Sequence, residues 1–462
     1  MKHILTLLTA LMLAQPASLH ATDASFAKPN IVFIFADDWG WGDLSCHDHP
    51  YLKTPNIDRL AKEGTDFLRF TVASGVCSPS RTALMTGHFP ARYNIDGHFA
   101  WVKNNAQRNM PDWLDPKTPT LPKMLQAAGY ATAHFGKWHL SNDMIPDSPL
   151  PNVYGCDEYG AFNCAGEQMP VHADAGHAIA FVEKSAAAKK PFFINLWMHE
   201  PHTPFHTVPK YEWRFREMMS REDQIFASVI SHADDRIGEV LSTLDRLDLA
   251  ENTLVIFSSD NGPARATKQT ALDLQYDTAT GAGWGMAASK GITAGRKGYK
   301  AALFAGGINV PFVARWPGKI PAGKIDNTSL ISAVDLLPTF CDLTGAKTPE
   351  GYHPDGISQV AVLKGEATST RTKPLFWKMT GGKDSEFHWA NYAVVDQQWK
   401  LLTTGDAKRV ELYDIVADPL ETKELASDKP YVVKDIVAKL EQWKATLPEK
   451  PSGDVFSAER SK

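Results

Sequence analysis

The stretch at residues 76–87, VCSPSRTALMTG, places a cysteine directly before the expected start of a helix. Because a helix N-terminus favours negative charge, Cys77 gains thiolate character there, which is typical of a nucleophile or of a chemically modified side chain. The alternative is an inert buried thiol, the usual state of a lone cysteine. The residues that accompany Cys77 must decide between these interpretations.

Acidic and amide side chains follow two long apolar runs. They are Asp37 and Asp38 after residues 30–36, and Asp260 and Asn261 after residues 253–259. Such runs are typical of strands buried on both faces, and ligands bind at the carboxyl ends of strands in open parallel sheets. Carboxylate and amide oxygens favour a hard cation such as calcium, although an Asp-Asp pair is also common as a helix N-cap or in a solvated loop.

Basic side chains follow another strand-like segment, residues 131–135. Lys137 and His139 come next, and on extended backbone they would point the same way, which suits two groups that act on one substrate. His134 and Trp138, which alternate with them, are expected to pack in the core. Lys300, after a glycine-rich stretch, is a further candidate cation.

Histidines follow residues 191–198, in the order His199-Glu200-Pro201-His202. Two histidines and a glutamate could bind zinc, but the prolines forbid the helix that a His-Glu-x-x-His motif requires. A rigid loop that presents His202 is the better interpretation, and His232 on a later helix is expected to be structural.

The Cys-x-Pro-x-Arg pattern from Cys77 to Arg81, with TALMTG after it, resembles the signature of the type I sulfatases. These arylsulfatase-like enzymes belong to the alkaline phosphatase superfamily, and the resemblance extends from Pro29 to the Glu411–Asp414 segment. It implies that a formylglycine-generating maturation enzyme oxidises Cys77 to an aldehyde whose hydrate is the nucleophile. The implied ligands of one calcium ion are Asp37, Asp38, Asp260 and Asn261. The other implied roles are Arg81 as the group that holds the hydrate, Lys137 and Lys300 as a sulfate clamp, His139 as the base and His202 as the leaving-group partner.

The resemblance implies a two-step hydrolysis of a sulfate ester. One hydroxyl of the hydrate attacks sulfur with help from Asp260, and His202 or Lys300 gives a proton to the leaving alcohol. His139 then takes the proton of the other hydroxyl, which expels sulfate and restores the aldehyde. Three cationic side chains and the calcium ion outweigh the three carboxylates, so the site favours an anionic ester.

Two other functions fit the same residues. A phosphate or phosphonate monoester hydrolase would use the same scaffold, but an aldehyde-type nucleophile with two lysines favours sulfate. A non-catalytic glycan-binding protein would carry a degenerate site, whereas the set of site residues is intact. A sulfatase is therefore the function that the sequence favours.

The expected substrate is a sulfated carbohydrate. An algal galactan such as a carrageenan oligosaccharide stands ahead of glycosaminoglycans and small aryl sulfates, because exported bacterial enzymes of the family often desulfate glycans. Aromatic and basic side chains near the motifs could line a sugar site, although each is more often structural. They are Trp41, His98, Trp101, His199, Arg265 and Trp284.

The composition is that of an ordinary globular protein, with 462 residues, 43% of them hydrophobic and 22% charged. The net charge of -5 argues against a nucleic-acid partner. The N-terminus has a short basic start and an apolar run, residues 4–14, that is too short to span a bilayer. We therefore expect a signal peptide cleaved near Ala21, with Ala24 or Ala27 as alternatives, and an exported protein, periplasmic or secreted, without a membrane anchor.

The five cysteines are an odd set for an exported protein: Cys46, Cys77, Cys156, Cys164 and Cys341. If Cys77 becomes an aldehyde, the other four can form up to two disulfides, and the close pair Cys156 and Cys164 is the favoured bridge. A zinc site is the competing interpretation, but no Cys-x2-Cys pair supports it.

The order of segments predicts an α/β fold, with a large mixed, mostly parallel sheet sandwiched by helices. A smaller C-terminal subdomain of antiparallel strands and one helix is expected to follow. Residues 264–298 are small and polar, which predicts a long active-site loop. The expected divisions are a signal peptide at 1–21, a catalytic sulfatase domain at 28–369 and an α+β subdomain at 370–462.

Two positions depart from the family pattern. His88 stands where arginine usually follows Thr-Gly, and Ala305 where a glutamate commonly precedes the Gly-Gly pair. Neither replaces a residue with an implied role, but both bear on how the site is supported and on substrate contact.

Overall fold

The structure of the protein is a computed structural model that describes residues 28–218, 220–265, 273–277, 281–284, 289–368, 371–380 and 385–461. The predicted signal peptide at 1–21 lies outside the described residues. Among the described residues, none of the helices has both the length and the apolar character needed to cross a membrane.

Strands and helices alternate through most of the described chain. The strands are β1 (Asn30–Ala36), β2 (Thr65–Phe67), β3 (Phe70–Thr71), β4 (Ala131–Lys137), β5 (Glu158–Phe162), β6 (Phe192–Trp197), β7 (Phe205–His206), β8 (Thr253–Ser259), β9 (Asp273–Asp277), β10 (Gly281–Trp284), β11 (Phe312–Arg315), β12 (Lys324–Asp326), β13 (Ile331–Ser332), β14 (Leu375–Lys378), β15 (Tyr392–Asp396), β16 (Trp399–Thr403) and β17 (Val410–Asp414). The helices are α1 (Pro55–Glu63), α2 (Cys77–Thr86), α3 (Val102–Gln107), α4 (Leu121–Ala127), α5 (Asp174–Ala187), α6 (Pro209–Arg214), α7 (Arg221–Arg246), α8 (Ala305–Ile308), α9 (Leu336–Thr344), α10 (Val360–Leu363) and α11 (Pro430–Lys444).

The central sheet has eight strands in the order β12-β2-β11-β8-β1-β6-β4-β5. The neighbours from β8 to β5 are parallel, and β11 runs antiparallel to both β8 and β2. All seven residues of β1 are buried, because helices cover the sheet on both faces and leave no polar side to the strand. The predicted mixed, mostly parallel sheet is confirmed.

Alternate residues of β1 enter two separate cores. Phe33 and Phe35 pack on the face that also carries α2, α4 and α9. Val32 and Ile34 pack on the opposite face, against α5 and α7. Each face of the sheet therefore has its own apolar layer, as a doubly covered sheet requires.

The C-terminal part forms a four-stranded antiparallel sheet, β14-β15-β16-β17, with α11 packed on it. Phe376 stacks on Trp443 of α11 with ring centroids 4.8 Å apart. Trp377 is buried and donates a hydrogen bond from Nε1 to the main-chain oxygen of Val72, at 2.8 Å. The predicted subdomain is confirmed, and its side chains continue the core that lies under α2.

The long loop predicted at 264–298 contains regular structure. Strand β10 pairs with β9 and with β7 to give a small antiparallel sheet. Strand β10, Gly-Ala-Gly-Trp, is too short and too rich in glycine to show a strand periodicity, and the five residues of β9 stand alone within a long polar stretch.

The predicted disulfide between Cys156 and Cys164 is wrong. Both cysteines are buried and free, and all five residues of β5 lie between them in the chain. Because a five-residue strand extends by on the order of 13 Å, the two cysteines flank its opposite ends. A disulfide needs Cα atoms within about 7 Å.

We therefore expect Cys156 and Cys164 to react with a thiol-alkylating reagent after denaturation without a reductant. Peptide mass spectrometry should find both labelled to the same extent as Cys341, a buried free thiol 3.8 Å from Met124 Sδ. Recovery of an unlabelled peptide pair that joins the two cysteines would contradict this placement.

Candidate active site

Four neighbouring strands of the central sheet bring the predicted site residues to one edge. Parallel strands lie about 4.8 Å apart, so the carboxyl ends of β8, β1, β6 and β4 span only on the order of 15 Å. From these ends project Asp260 and Asn261, Asp37 and Asp38, the segment His199 to His202, and Lys137. The helix that begins with Cys77 reaches the same edge.

Cys77 is the first residue of α2 and is 3% exposed. Its Sγ lies 3.5 Å from Asp37 Oδ1 and 3.5 Å from Lys137 Nζ. Burial, followed by the charge of Asp37, raises the pKa of the thiol despite the nearby lysines. The interpretation of Cys77 as a thiolate at a helix N-terminus is therefore not supported, because the thiol stays protonated.

The segment that leads into α2 is held by close main-chain contact. A Cβ added at Gly75 would lie 2.5 Å from the main-chain oxygen of Ala302, so only glycine fits there. The amide of Ala301 donates to the main-chain oxygen of Gly75 at 2.7 Å. These contacts bring the loop that carries Lys300 against the loop that carries Cys77.

Two lysines pair with two aspartates in the site. Lys137 Nζ donates to Asp37 Oδ2, and Lys300 Nζ lies 2.6 Å from Asp38 Oδ1. Burial alone would lower the pKa of each lysine, but Asp37 raises that of Lys137 and Asp38 raises that of Lys300. Both lysines therefore remain cationic at the edge of the sheet.

Arg81 is completely buried and fixes the orientation of Asp260. Its Nε and Nη2 donate to Asp260 Oδ2 at 3.0 and 2.6 Å, and its Nη1 donates to the main-chain oxygen of Lys137 at 3.1 Å. The guanidinium also lies over the rings of Trp197 and Phe35. Arg81 thus joins the ends of β8 and β4 around Cys77.

The donor set fits a hard divalent cation. Asn261 donates from Nδ2 to Asp38 Oδ1 at 2.7 Å, while its Oδ1 is buried without a hydrogen-bond partner. Burial and the charge of Asp37 raise the pKa of Asp260 to about 7, which reflects carboxylates crowded together in a dry site. Three carboxylates and one amide oxygen are ligands that calcium prefers, and a cation would relieve both the crowding and the unpartnered oxygen.

His139 adopts a left-handed backbone conformation with φ 52°. The prediction that Lys137 and His139 lie on one extended strand is therefore wrong, because β4 ends at Lys137. His139 Nε2 lies 3.1 Å from the main-chain oxygen of Phe99, to which it donates, and Nδ1 is buried without a partner. Burial, followed by the charge of Lys137, lowers the pKa of His139 well below its usual range. A neutral ring with its lone pair on Nδ1 can accept a proton.

His202 is held in the loop after β6. Its main-chain amide donates to the oxygen of His199 at 2.8 Å, and Nδ1 donates to the main-chain oxygen of Thr203 at 2.5 Å. Nε2 is then directed towards Asp38 Oδ2, at 3.9 Å. The predicted rigid loop is thus present, and it presents His202 to the carboxylates.

The candidate sugar-binding residues fall into two groups. Trp41 is covered on both faces, by the Arg296 guanidinium at 3.4 Å and the His47 ring at 4.0 Å, so it cannot stack on a sugar as predicted. His199 is buried, with Nε2 bonded to the main-chain oxygen of Pro204, and it too is structural. Trp101 is 59% exposed, and His98 and Arg265 are also exposed. The side chain of Trp284 lies outside the described residues.

Sequence reasoning missed the contribution of the C-terminal subdomain. His388 Nε2 lies 3.2 Å from the main-chain oxygen of Lys300. Glu421 Oε2 accepts from the amide of Ala305 at 2.8 Å, and its other oxygen pairs with Lys400. The family pattern has a glutamate where this chain has Ala305. Glu421 thus supplies a carboxylate beside that position. No local pattern in the sequence marks either residue.

His88, the other departure from the pattern, is fixed by neighbours of its own. One ring nitrogen lies 2.8 Å from the Tyr93 hydroxyl and the other 2.9 Å from the main-chain oxygen of His353. The ring also stacks on Tyr352. His88 therefore supports the chain after α2 from a position where it is only partly exposed.

Comparisons with known proteins agree with this geometry. Residues 29–346 match the family described as Sulfatase, and residues 298–448 match the one described as N-sulphoglucosamine sulphohydrolase, C-terminal. The chain is 30% identical over 408 residues to N-acetylgalactosamine-6-sulfatase of Canis lupus familiaris, which covers 79% of this chain and 71% of the relative. It is 28% identical over 510 residues to N-acetylgalactosamine-6-O-sulfatase of Bacteroides thetaiotaomicron, covering 90% and 93% of the two chains.

A solved structure resembles the whole chain. The crystal structure of Ps i-CgsB has 26% sequence identity and a TM-score of 0.77, and it covers 94% of this chain and 96% of that one. The same protein in complex with k-i-k-neocarrahexaose gives a TM-score of 0.75 at the same identity and coverage.

The donor set predicts that calcium stabilises the folded protein. Removal of calcium with a chelator should lower the thermal midpoint, and added calcium should restore it, because the ion binds only the assembled carboxylates. Asp38→Asn should weaken the apparent calcium affinity by about tenfold or more, since affinity depends on the charge of the ligands. Differential scanning fluorimetry over a calcium titration measures both effects.

The matched control is Asp48→Asn, which removes an exposed carboxylate from the segment that follows β1. It should keep the calcium response of the unsubstituted protein. A midpoint that does not respond to chelator, or an equal response in Asp38→Asn, would rule out this ion site.

Proposed function

The chain belongs to the sulfatase family, as a type I sulfatase of the alkaline phosphatase superfamily, and we propose that this sulfuric ester hydrolase desulfates a sulfated galactan. We further propose that its nucleophile is the hydrate of a formylglycine made from Cys77, beside one calcium ion. The observation that carries the proposal is the position of Cys77, buried between Asp37 and Lys137 at the N-terminus of α2.

The raised pKa of the Cys77 thiol supports an aldehyde over a thiolate. A protonated, buried thiol is a poor nucleophile. Oxidation to the aldehyde removes the sulfur, and hydration then gives two hydroxyl groups on one carbon. The first attacks sulfur, and the second allows the sulfated intermediate to collapse, which the sulfate ester of a serine or cysteine could not do.

Asp37, Asp38, Asp260 and Asn261 would hold the calcium ion, as their oxygens fit this cation. When bound, the ion supplies Lewis-acid stabilisation of negative charge on oxygen. Asp260, fixed by Arg81, assists removal of the proton from the attacking hydroxyl. Three cationic side chains, one beside each aspartate, offset the charge of these carboxylates when all three are ionised.

Lys137 and Lys300 bind the sulfate oxygens in this proposal. Both are cations that lie at the carboxyl edge of the sheet, Lys137 buried and Lys300 partly exposed, and each pairs with one aspartate. Their charge is placed before the substrate arrives, so little reorganisation is needed when negative charge develops on the departing alcohol. His202 or Lys300 then protonates that alcohol.

His139 is the base of the second step. Its Nε2 is engaged with the main-chain oxygen of Phe99, so Nδ1 carries the lone pair. The neutral ring takes the proton of the second hydroxyl of the hydrate, and sulfate leaves as the aldehyde re-forms. A left-handed backbone at His139 turns the ring away from the line of β4, towards the segment at Phe99.

The exposed side chains of His98, Trp101 and Arg265 are called the rim of the site here, and they are suited to a carbohydrate substrate. The amide of Phe99 donates to Ser78 Oγ at 3.0 Å, which fastens the segment that carries His98 and Trp101 to the start of α2. On the other side, Arg265 lies over Tyr299, next to Lys300. An exposed indole and an exposed guanidinium suit a pyranose ring and a further sulfate, respectively. The names of the similar proteins contain N-acetylgalactosamine and neocarrahexaose, and a carrageenan oligosaccharide is the substrate that we propose.

Cys77→Ser should reduce turnover of a sulfated substrate by about 10³-fold or more, because the serine ester lacks the second hydroxyl. Peptide mass spectrometry of the unsubstituted active enzyme should find the Cys77 peptide without its sulfur. Cys46→Ser, which changes an exposed cysteine, should keep full activity. An unmodified Cys77 in active enzyme would refute the formylglycine mechanism.

Trp101→Ala and Arg265→Ala should each raise KM for a carrageenan oligosaccharide by about tenfold, since a lost contact of about 1.4 kcal/mol has this effect. Neither should change kcat/KM for a small aryl sulfate, which does not reach the rim. Trp213→Ala, at a tryptophan 67% exposed on α6, is the matched control and should leave both unchanged. Sulfate release from N-acetylgalactosamine 6-sulfate and not from the galactan would reject the proposed substrate while keeping the sulfatase.

A further inference from the structure

A group of metal-binding side chains lies apart from the proposed calcium ligands. His172 comes from the turn before α5, Glu200 from the loop after β6, and His232 from α7. One nitrogen or oxygen of each lies within 4.8 Å of the others. The rings of His172 and His232 meet edge to face, with centroids 4.4 Å apart.

Two atoms of this group are buried without a hydrogen bond. Glu200 is 1% exposed, and its Oε1 has no hydrogen-bond partner. His172 Nε2 also lacks a well-formed hydrogen bond, and it faces Glu200 Oε1 at 3.3 Å, a distance at which the two form an ion pair when the histidine is protonated. Buried polar atoms are rarely left without a good partner, and one cation between these two atoms would satisfy both of them.

We propose that His172, Glu200 and His232 form a second metal site, for zinc or a similar transition-metal ion. Two histidines and one glutamate are a ligand set that zinc uses in proteins. Ligand atoms that are each about 2.0–2.1 Å from a tetrahedral ion lie about 3.4 Å apart, which matches the 3.3 Å between His172 Nε2 and Glu200 Oε1. Calcium binds oxygen ligands, so a site with two imidazole nitrogens favours a transition-metal ion over calcium.

The charge around the group also suits a cation. Glu200 Oε2 accepts from Arg236 Nη2 at 2.5 Å, and Arg236 Nη1 lies 3.5 Å from Asp174 Oδ1. Glu200 and Asp174 thus both face the Arg236 guanidinium, and this single cation does not offset both carboxylates. The bond from Arg236 fixes the Glu200 carboxylate with Oε1 directed at His172, as outer partners do for metal ligands.

The second ion would stabilise the loop that presents His202. The main-chain oxygen of Glu200 accepts from the amide of Asp37 at 3.2 Å, and His202 follows two residues later, facing Asp38. An ion on the Glu200 side chain therefore holds in place a segment that contacts Asp37 and Asp38, two of the four proposed calcium ligands. This ion is a positioning element and takes no part in the reaction.

A second cluster of similar residues does not qualify. Cys46, His47 and Asp66 also lie close together, but both ring nitrogens of His47 are engaged, with the main-chain oxygen of Trp41 at 2.6 Å and with Asp66 Oδ2 at 2.8 Å. No ring nitrogen of His47 is left to bind an ion.

Zinc titration of the calcium-loaded full-length protein tests the proposal. After treatment with a chelator selective for transition metals, the protein should bind one equivalent of zinc, measured by elemental analysis and calorimetry. His172→Ala and His232→Ala should each weaken zinc binding by about 100-fold and leave the calcium response intact. His177→Ala, at an exposed histidine of α5, should bind zinc as the unsubstituted protein does.

Anomalous diffraction at the zinc edge gives a test that does not depend on a variant. Crystals of the unsubstituted protein should show a peak between the side chains of His172, Glu200 and His232. Absence of zinc uptake, a peak elsewhere, or unchanged affinity in both histidine variants would overturn the proposal. These outcomes are independent of the sulfatase assay, so failure of one proposal does not decide the other.

Discussion

The burial of three aspartates side by side is the constraint on which the rest of the site depends. Asp37, Asp38 and Asp260 are nearly inaccessible to solvent, and such charges are costly to bury without partners. Each has a cation within reach: Lys137 for Asp37, Lys300 for Asp38 and Arg81 for Asp260. Even so, the pKa of Asp260 stays raised, to about 7, chiefly by burial and then by Asp37. Three cations thus do not fully offset the cost of burying three carboxylates next to one another.

This constraint explains the architecture around it. Carboxylates from residues more than 200 positions apart can meet only where parallel strands end together, and β8 and β1 are neighbours in the sheet. All ten residues of α2 are buried, because the helix must place Cys77 inside the same charged cluster. The C-terminal subdomain then closes the outer side, with His388 on Lys300 and Glu421 on the amide of Ala305. A part of the chain that supplies none of the predicted catalytic residues therefore supports two of the loops that carry the site.

Local patterns predicted the sheet well, because a doubly covered strand leaves an unmistakable apolar run. Residues 30–36 form β1 with the expected bounds, and the polar residues after four such runs do meet. The left-handed backbone at His139 was not predictable, because nothing in the composition around it indicates such a turn. The separation of Cys156 from Cys164 was not predictable either, because the two are close in sequence and only the formation of β5 moves them apart. Trp41 shows a third limit. Whether a tryptophan faces solvent or lies between Arg296 and His47 depends on a residue 255 positions away.

The burial of Cys77 also limits when the proposed modification can occur. A maturation enzyme must bind the chain around the cysteine in an accessible form, yet in the folded protein Cys77 and the whole of α2 are covered by the sheet edge and by α4 and α9. Opening this helix would expose the buried ion pairs of Arg81 and Lys137, which are costly to break because each leaves an unpaired buried charge. If Cys77 is oxidised as proposed, the oxidation would therefore have to precede folding. The folded site would then need an access route only for a sulfate ester and not for a protein.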